Sequence, residues 1–381
     1  MRIRPVFLAL TTLAAAGCGK ADARPAPAPP EGAAPAGAPA AAAPRKLPIS
    51  LEPLPGETHL ANLRQLTDGG ENAEAYWSFG GDRLIFQSTR PPFTADQIFV
   101  MGTDGSAPTL VSSGKGRTTC AYFMPGDKRF LYASTHLAGD APPPPPDRSH
   151  GYAWGLFEYE IFVADLDGKN QVRLTDSPGY DAEATVSPKG DRIVFTSSRD
   201  GDLEIYTMGL DGKDVRRLTH DVGYDGGAFF SPDGTKICYR AQHPQDDEGK
   251  AKFKALLSKG IVRPDALEIM VMDADGSNPH AVTSNGKANF GPYFHPDGKR
   301  LVFASNFEDP TGRSFDVYLI GIDGKGLEPV TRYTNAKHDD FDGFPMFSPD
   351  GKRFVFCSNR NNAKPHETNV FVADWVEAPG K

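Results

Sequence analysis

The sequence predicts an all-β protein, a six-bladed β-propeller of four-stranded antiparallel blades that is closed by an N-terminal strand. A turn motif recurs six times along the chain, and a second Asp-Gly turn follows five of the copies. The composition, with 40 Gly, 34 Pro and many short β-branched or aromatic runs, is typical of strands joined by tight turns. One repeat cannot bury both faces of its own sheet, whereas a ring of six repeats leaves no unprotected end.

The recurring motif is a turn of the Ser-Pro-Asp-Gly kind followed by a strand such as IVFTSSR. Its copies begin at Ser78, Met124, Ser187, Ser231, His295 and Ser348, which serve below as the repeat anchors. The second turn ends at Gly105, Gly168, Gly212, Gly276 and Gly324. Pro, Asp and Gly suit such turns because they fix or permit the required backbone dihedrals. Each unit therefore predicts two strands, a variable loop, a third strand, an Asp-Gly turn and a short fourth strand.

The last repeat predicts how the ring closes. It ends with the strand NVFVADW, residues 369–375, and no fourth strand follows. The segment LRQLT, Leu63 to Thr67, matches the short fourth strands of the other repeats, such as VRLT at Val172. We expect it to complete the sixth blade, so that hydrogen bonds between the two chain ends close the circle.

These repeats resemble the TolB-type propeller repeats, whose hallmark is the pattern SPDG…IxFxSxR…IYxMxxDG. The resemblance covers about Leu63 to Trp375. It implies the propeller fold, without the α/β domain that precedes the repeats in TolB. A Pro/Ala-rich segment occupies that place here.

The N-terminal residues predict secretion. Residues 1–18 read as a signal peptide, with the basic start MRIR and an apolar run too short to span a membrane stably. The sequence AAGC resembles the lipobox of bacterial lipoproteins, which implies lipidation of Cys18; because Ala15 stands where Leu is usual, simple cleavage after Ala16 is the alternative. Residues 19–57 predict a solvated tether, and residues 58–376 the propeller. We expect a lipid-anchored monomer on the periplasmic side of a bacterial membrane, in a leaflet that the sequence leaves open.

Two insertions decorate one face of the predicted propeller. The second and fourth repeats carry about twenty extra residues each between their second and third strands, at about 137–159 and 243–267. The first insertion brings Tyr152 and Trp154, and the second contains KAKFKALLSKG, which predicts a short helix ended by Gly260. Long loops on a rigid scaffold commonly carry recognition. The alternative is that these aromatic side chains pack back onto the blades.

Two rings of polar positions are predicted on the same face. Six residues before each anchor stand Asn72, Thr118, Asp181, Asp225, Asn289 and Asp342. Twelve residues after each anchor stand Arg90, His136, Arg199, His243, Phe307 and Arg360. A constant offset in a repeat means constant geometry, so these groups form either a structural girdle of ion pairs or a binding site at the channel mouth. In the second case Asp181, Asp225 and Asp342 would hold Ca²⁺ or Mg²⁺, or the mouth would grip a basic peptide.

The bulk properties and motifs limit the function. A formal charge of −8 argues against a nucleic-acid partner, and Cys120, Cys238 and Cys357 predict buried free thiols inside strands. The motifs of serine hydrolases, Walker nucleotide sites, zinc peptidases and dinucleotide-binding folds are absent. We therefore expect a non-catalytic module that binds an envelope protein or peptide on the decorated face. The alternative is a metal-dependent carbohydrate enzyme, because the predicted fold resembles oligogalacturonate lyases and His136 and His243 occupy equivalent positions.

Overall fold

The computed structural model describes residues 45–377 except 148, 150–151 and 334–338. The predicted signal peptide, Cys18 and most of the predicted tether lie outside these residues. Six antiparallel sheets follow one another along the chain, which confirms the six-bladed propeller. In the described residues no helix is long and apolar enough to cross a membrane.

The N-terminal strands belong to the last blade, and the first three blades then follow in chain order. The N-terminal strands are β1 (Ile49–Ser50) and β2 (Leu60–Gln65). The first blade has β3 (Glu71–Trp77), β4 (Arg83–Thr89), β5 (Gln97–Gly102) and β6 (Thr109–Leu110). The second has β7 (Thr118–Phe123), β8 (Arg129–Ser134), β10 (Glu160–Asp165) and β11 (Val172–Arg173), with β9 (Trp154–Gly155) in its long loop. The third has β12 (Asp181–Val186), β13 (Arg192–Ser197), β14 (Glu204–Gly209) and β15 (Arg216–Arg217).

The remaining blades repeat this order. The fourth has β16 (Tyr224–Phe230), β17 (Lys236–Gln242), β19 (Glu268–Asp273) and β20 (His280–Ala281), and its long loop holds α1 (Asp247–Leu257) and β18 (Ile261–Val262). The fifth has β21 (Asn289–Phe294), β22 (Arg300–Ser305), β23 (Asp316–Gly321) and β24 (Glu328–Pro329). The sixth has β25 (Asp342–Phe347), β26 (Arg353–Ser358) and β27 (Asn369–Trp375).

The ring closes through β2, as the sequence predicts. This strand pairs antiparallel with β27, with Leu60 opposite Trp375 and Gln65 opposite Phe371. The predicted boundary of the tether at residue 57 is wrong, however, because β1 adds a fifth strand beside β2. Glu57 is also buried, and its carboxylate binds Arg360 of the sixth blade. The folded unit therefore includes residues that composition alone assigned to the tether.

The core lies between neighbouring blades and is built by the repeat itself. Eight residues after each anchor, the second strand of every blade carries an aromatic side chain that is at most 3% exposed. These residues are Phe86, Tyr132, Phe195, Tyr239, Phe303 and Phe356. Burying one such ring stabilises the fold by about 1.5–3 kcal/mol, so the six equivalent positions contribute much of the cohesion between blades. The three cysteines are buried free thiols, as predicted.

The predicted helix of the fourth blade is present and begins earlier than expected. It starts at Asp247 because Asp246 caps it, its side chain accepting a hydrogen bond of 2.7 Å from the Gly249 amide. It ends at Leu257, three residues before Gly260, whose positive φ of 68° breaks the helical path. Phe253 is the buried residue of this helix, which anchors it to the blade.

Candidate functional site

The two insertions meet on one face and pair with each other. β9 pairs antiparallel with β18, so that Trp154 lies opposite Val262, and the Leu156 amide donates to the Gly260 carbonyl at 2.7 Å. This two-stranded ribbon is hereafter the tongue. Val262 and Leu267 are almost completely buried with Tyr224 and Phe253, which fixes the tongue to the fourth blade. The prediction that both insertions decorate the same face is confirmed.

The tongue places Trp154 against the inner end of the fourth blade. Its ring lies 4.8 Å from the Arg240 guanidinium and 5.5 Å from the centre of the Phe290 ring. The neighbouring Tyr152 is 60% exposed, and its hydroxyl accepts a hydrogen bond of 3.3 Å from the Trp154 indole. Trp154 therefore packs back onto the blade, as the alternative interpretation expects, whereas Tyr152 faces solvent.

Two clefts open at this face, and they share Tyr152, Trp154, Arg240 and Phe344 as part of their walls. The first cleft, about 750 Å³, is hereafter the basic cleft, because it is lined by four cations and one acid. These residues are Arg240, Arg263, Lys287, Arg313 and Asp265. Its aromatic wall consists of Tyr152, Trp154, Phe290, Phe315, Phe341 and Phe344. The cleft thus combines positive charge with apolar surface on a chain whose formal charge is −8.

The second cleft, about 520 Å³, is hereafter the acidic cleft. Four carboxyl groups and two arginines line it, namely those of Glu71, Glu74, Asp96, Glu183, Arg117 and Arg240. Aromatic rings again form much of the wall, including those of Phe157, Tyr159 and Tyr180. The mouth therefore holds two clefts of opposite charge that share the tongue and Arg240.

A buried ion pair lies where the two clefts meet. Arg240 is 7% exposed and binds the Glu183 carboxylate, and its Nε donates to the Tyr224 hydroxyl at 3.0 Å. The same carboxylate accepts hydrogen bonds from Thr196 Oγ1 at 2.8 Å and from the Gly227 amide at 2.9 Å. Gly227 is required here, because a Cβ at this position would lie 2.9 Å from the Arg240 guanidinium carbon. Neighbouring blades thus meet through charge as well as apolar contact.

Sequence reasoning missed a ring of residues that carry the left-handed backbone conformation. Four residues before each anchor, the innermost strand bulges and φ lies between 52° and 63°. The six residues are Glu74, Cys120, Glu183, Gly227, Gly291 and Phe344, and all of them line one small cavity on the axis. Four of them are not glycine, and each left-handed residue of this kind costs about 1–2 kcal/mol. The sequence could have revealed this ring only through the fixed offset of its residues from the anchors, because their side chains differ in chemical type.

Glu74 carries a carboxyl group of this ring whose pKa is strongly altered. Burial within the channel raises its pKa to about 7, although its side chain keeps partial access to the channel space. A hydrogen bond with the Cys120 thiol opposes this rise and the charge of Glu183 adds to it. The carboxyl group is therefore half protonated near neutral pH.

Replacing Glu74 with Gln should make the protein more stable above neutral pH. The folded pKa is raised above the ordinary 4.5, so the stability that the neutral carboxyl contributes is complete below pH 4.5 and lost as pH rises through 7. Gln keeps the neutral shape at all pH values, and we expect a gain of about 2 kcal/mol at pH 8 with no gain at pH 4.5. Urea unfolding at both pH values measures this. Glu248→Gln, on the exposed surface of α1, is the matched control and should change neither value.

The two predicted polar rings come together within blades, pair by pair. Arg90 donates to Asn72 at 2.6 Å, Arg199 to Asp181 at 3.1 Å, and Arg360 to Asp342. His243 Nε2 lies 2.9 Å from the Asp225 carboxylate. In the remaining blades, His136 contacts Ser134 Oγ at 2.9 Å and packs on Phe162, and Phe307 packs on Tyr318. Two of these contacts, Arg199 with Asp181 and Arg360 with Asp342, are ion pairs of the kind that the girdle interpretation predicts.

The structure does not gather the three aspartates of the predicted ion site. Asp181, Asp225 and Asp342 each bind the basic partner of their own blade. His136 and His243, the histidines of the enzymatic alternative, likewise make their contacts within separate blades. Among the described residues, no three His, Cys, Asp or Glu side chains are grouped so as to hold a metal.

A further girdle of hydrogen bonds was not anticipated. At the start of the third strand, a Gln, Glu, Asp or Asn receives a hydrogen bond from a Thr or Ser that stands two residues after the fourth strand. The pairs that share this pattern are Ser112 with Gln97, Thr175 with Glu160, Thr283 with Glu268, Thr331 with Asp316 and Thr67 with Asn369. The amide or carboxylate side chain recurs at the same position of each repeat, so the sequence alone could have revealed it. It stabilises the blades and adds no group to the clefts.

Comparisons with known proteins agree with this architecture. Residues 155–257 match the family model of the TolB beta propeller domain. An uncharacterized protein of Agrobacterium fabrum is 29% identical over 111 residues, which is 29% of this chain and 35% of that protein. The matched segment thus spans about a third of the length of that relative.

Solved structures share the fold at low sequence identity. TolB from Acinetobacter baumannii is 20% identical, with a TM-score of 0.54 over 78% of this chain and 64% of that chain. A putative TolB from Agrobacterium tumefaciens is 18% identical, with a TM-score of 0.52 over 81% and 91% of the two chains. A gluconolactonase from Xanthomonas campestris is 14% identical, with a TM-score of 0.51 over 86% and 95%. Identities this low establish the fold and leave the activity open.

The fold and the decorated mouth define a six-bladed β-propeller with a double cleft on one face. The repeats resemble those of TolB-type propellers, and residues 155–257 match the TolB beta propeller domain.

Proposed function

We propose that the protein binds an acidic segment of another cell-envelope protein in the basic cleft. The observation that carries this proposal is the tongue. Two insertions from separate blades pair with each other and wall a cleft that combines six aromatic rings with four cationic side chains. An extended peptide rich in Glu or Asp and in aromatic residues matches both features of the wall.

The charge of the cleft supports an acidic partner in particular. Arg263, Lys287 and Arg313 outnumber the single carboxylate of Asp265, even with Arg240 paired to Glu183, whereas the protein as a whole is acidic. A positive patch on a negative protein attracts an acidic segment locally and repels acidic proteins elsewhere on its surface. The apolar rings beneath supply the contact area that holds the segment after encounter.

The envelope location rests on sequence. Residues 1–18 have the composition of a signal peptide, and these residues lie outside the described structure. Lipidation of Cys18 and a periplasmic location are part of the proposal. The proposal also includes that the protein binds its partner without catalysing a reaction.

A charge-reversal experiment tests the cleft. We expect a short labelled peptide of alternating Glu and Phe to bind the wild-type protein, and the double variant Lys287→Glu and Arg313→Glu to weaken binding at least about tenfold, because one pair of favourable contacts becomes repulsive. Fluorescence anisotropy at low and moderate salt measures both proteins. Binding should also weaken as salt rises.

The matched control makes the same change in charge on the opposite face. Lys299→Glu and Lys352→Glu lie in the exposed turns of the fifth and sixth blades. This variant should bind the peptide within about twofold of the wild type. Equal weakening by both double variants, or equally tight binding of a Lys-Phe peptide, would contradict the proposal.

A further inference from the structure

Two carboxyl groups of the acidic cleft, those of Glu71 and Glu74, form no ion pair in the described residues, and Glu74 is the less exposed of the two. Arg117 donates to Asp96 at 2.8 Å, and Arg240 binds Glu183. Glu74 lies in the same cleft, and its direct hydrogen-bond partner is the Cys120 thiol. In the described part of the chain, no Lys, Arg or His side chain forms an ion pair with Glu74. The deep end of the cleft therefore offers a carboxyl group that a ligand cation can complete.

Aromatic rings surround the approach to Glu74. Tyr159 and Tyr180 contact each other at 5.8 Å between ring centres, and Phe157 lies 6.1 Å from Tyr159. Trp154, which belongs to the tongue, forms another part of the wall. Aromatic faces attract ammonium and guanidinium groups, and the attraction strengthens where water is excluded. The same faces also pack against the aliphatic stem of a Lys or Arg side chain.

The acidic cleft and the basic cleft share a wall. Tyr152, Trp154, Arg240 and Phe344 line both clefts. A segment bound in the basic cleft that continues past the tongue therefore enters the acidic cleft. Such a segment therefore passes from a cleft lined mainly by cations to a cleft lined mainly by carboxyl groups.

We propose that the partner segment carries a Lys or Arg beyond its acidic stretch, and that this side chain enters the acidic cleft and pairs with the Glu74 carboxylate. This inference rests on the proposed function, because the acidic stretch must first occupy the basic cleft. It adds a second specificity element, so that the protein selects a segment whose charge changes from negative to positive. Glu74 is a binding residue in this proposal, with no chemical step assigned to it.

Two peptides that differ at one position test the inference. Both carry the alternating Glu-Phe stretch and a short Gly linker, and they end in Lys or in the uncharged isostere norleucine. At pH 8 we expect the wild-type protein to bind the Lys peptide about tenfold more tightly than the norleucine peptide. The variant Glu74→Gln should bind the two peptides equally and keep the affinity of the wild type for the norleucine peptide. The control Glu248→Gln should retain the preference for Lys.

The pH dependence adds a readout that a purely structural role would not give. The charged or titratable groups that act on Glu74 are Cys120, Glu183, Asp96 and Arg240. Because Glu74 gains its charge as pH rises through about 7, the preference for Lys should grow from pH 6 to pH 8 in the wild type and stay flat in Glu74→Gln. Equal affinity of the wild type for both peptides at pH 8 would overturn this inference alone. Failure of both peptides to bind would overturn the proposed function as well.

Discussion

Replacing Arg360 with Met should destabilise the protein by about 3–5 kcal/mol. The Arg360 side chain is 4% exposed, and its guanidinium donates to Glu57 at 2.9 and 3.2 Å and also binds Asp342. Met fills a similar volume and removes the charge, which leaves two buried carboxylates without a cation. Glu57 belongs to the N-terminal segment, so the substitution also releases a link between this segment and the sixth blade.

The loss should depend on pH in a defined direction. Without the guanidinium, the Asp342 carboxyl group takes up a proton more readily than in the wild type, because the charge of Arg360 lowers its pKa. Protonation relieves the unpaired charge, so the deficit in the free energy of unfolding should be largest at pH 8 and smaller at pH 5. Urea unfolding followed by tryptophan fluorescence at both pH values measures this.

The control for this substitution is an arginine whose pair is exposed to solvent. Arg216 pairs with Asp214 at 2.9 Å, and its side chain is 66% exposed. Arg216→Met should leave the urea midpoint almost unchanged, because solvent screens such pairs. A wild-type midpoint for Arg360→Met would show that the buried pair does not hold the sixth blade.

The fold was predictable because each repeat contains the same local sequence signals for its turns and strands. The turn motif fixes where two strands meet, and the aromatic position eight residues later fixes which face is buried. Closure was predictable as well, since the sixth repeat lacks a fourth strand and β2 supplies one. The pairs separated by eighteen residues followed from the same regularity, and the structure shows them as Arg199 with Asp181 and their equivalents.

The candidate site was predictable only in outline. The sequence indicated the decorated face and named Tyr152 and Trp154. It did not indicate that β9 and β18 pair, because each has only two residues and their contact depends on how separate blades lie in space. The basic cleft that results from this pairing brings together Arg263, Lys287 and Arg313, which share no repeat position. A repeat pattern does not predict the residues of a cleft that is formed by insertions into the repeats.

The N-terminal boundary failed for a related reason. Residues 45–57 have the composition of a flexible linker, and three prolines stand among them. Their order comes from a few specific contacts, chiefly the strand pairing of β1 and the ion pair of Glu57. A linker-like composition does not exclude a structured segment when one buried charge pair fixes its end.

Replacing Arg240 with Met should destabilise the protein by about 3–5 kcal/mol, and replacing Glu183 with Gln in addition should recover much of that loss. Arg240→Met leaves the Glu183 carboxylate in the channel with hydrogen-bond donors and no cation. The second substitution removes the unpaired charge and keeps an oxygen that can accept from the Gly227 amide. The coupling energy between the two sites should therefore be about 3 kcal/mol, as urea unfolding of both single variants and the double variant would show.

The same two single variants and double variant also distinguish an effect on the stability of the propeller from an effect on the position of the tongue. In the Met variants, Trp154 loses the cation that lies 4.8 Å from its ring, whether or not Glu183 is changed. We therefore expect the double variant to regain stability while its tongue is cleaved faster by a protease than that of the wild type or of Glu183→Gln. If instead the two single-variant losses simply add in the double variant, Glu183 and Arg240 act independently. The channel pair would then not be what joins the third and fourth blades beneath the tongue.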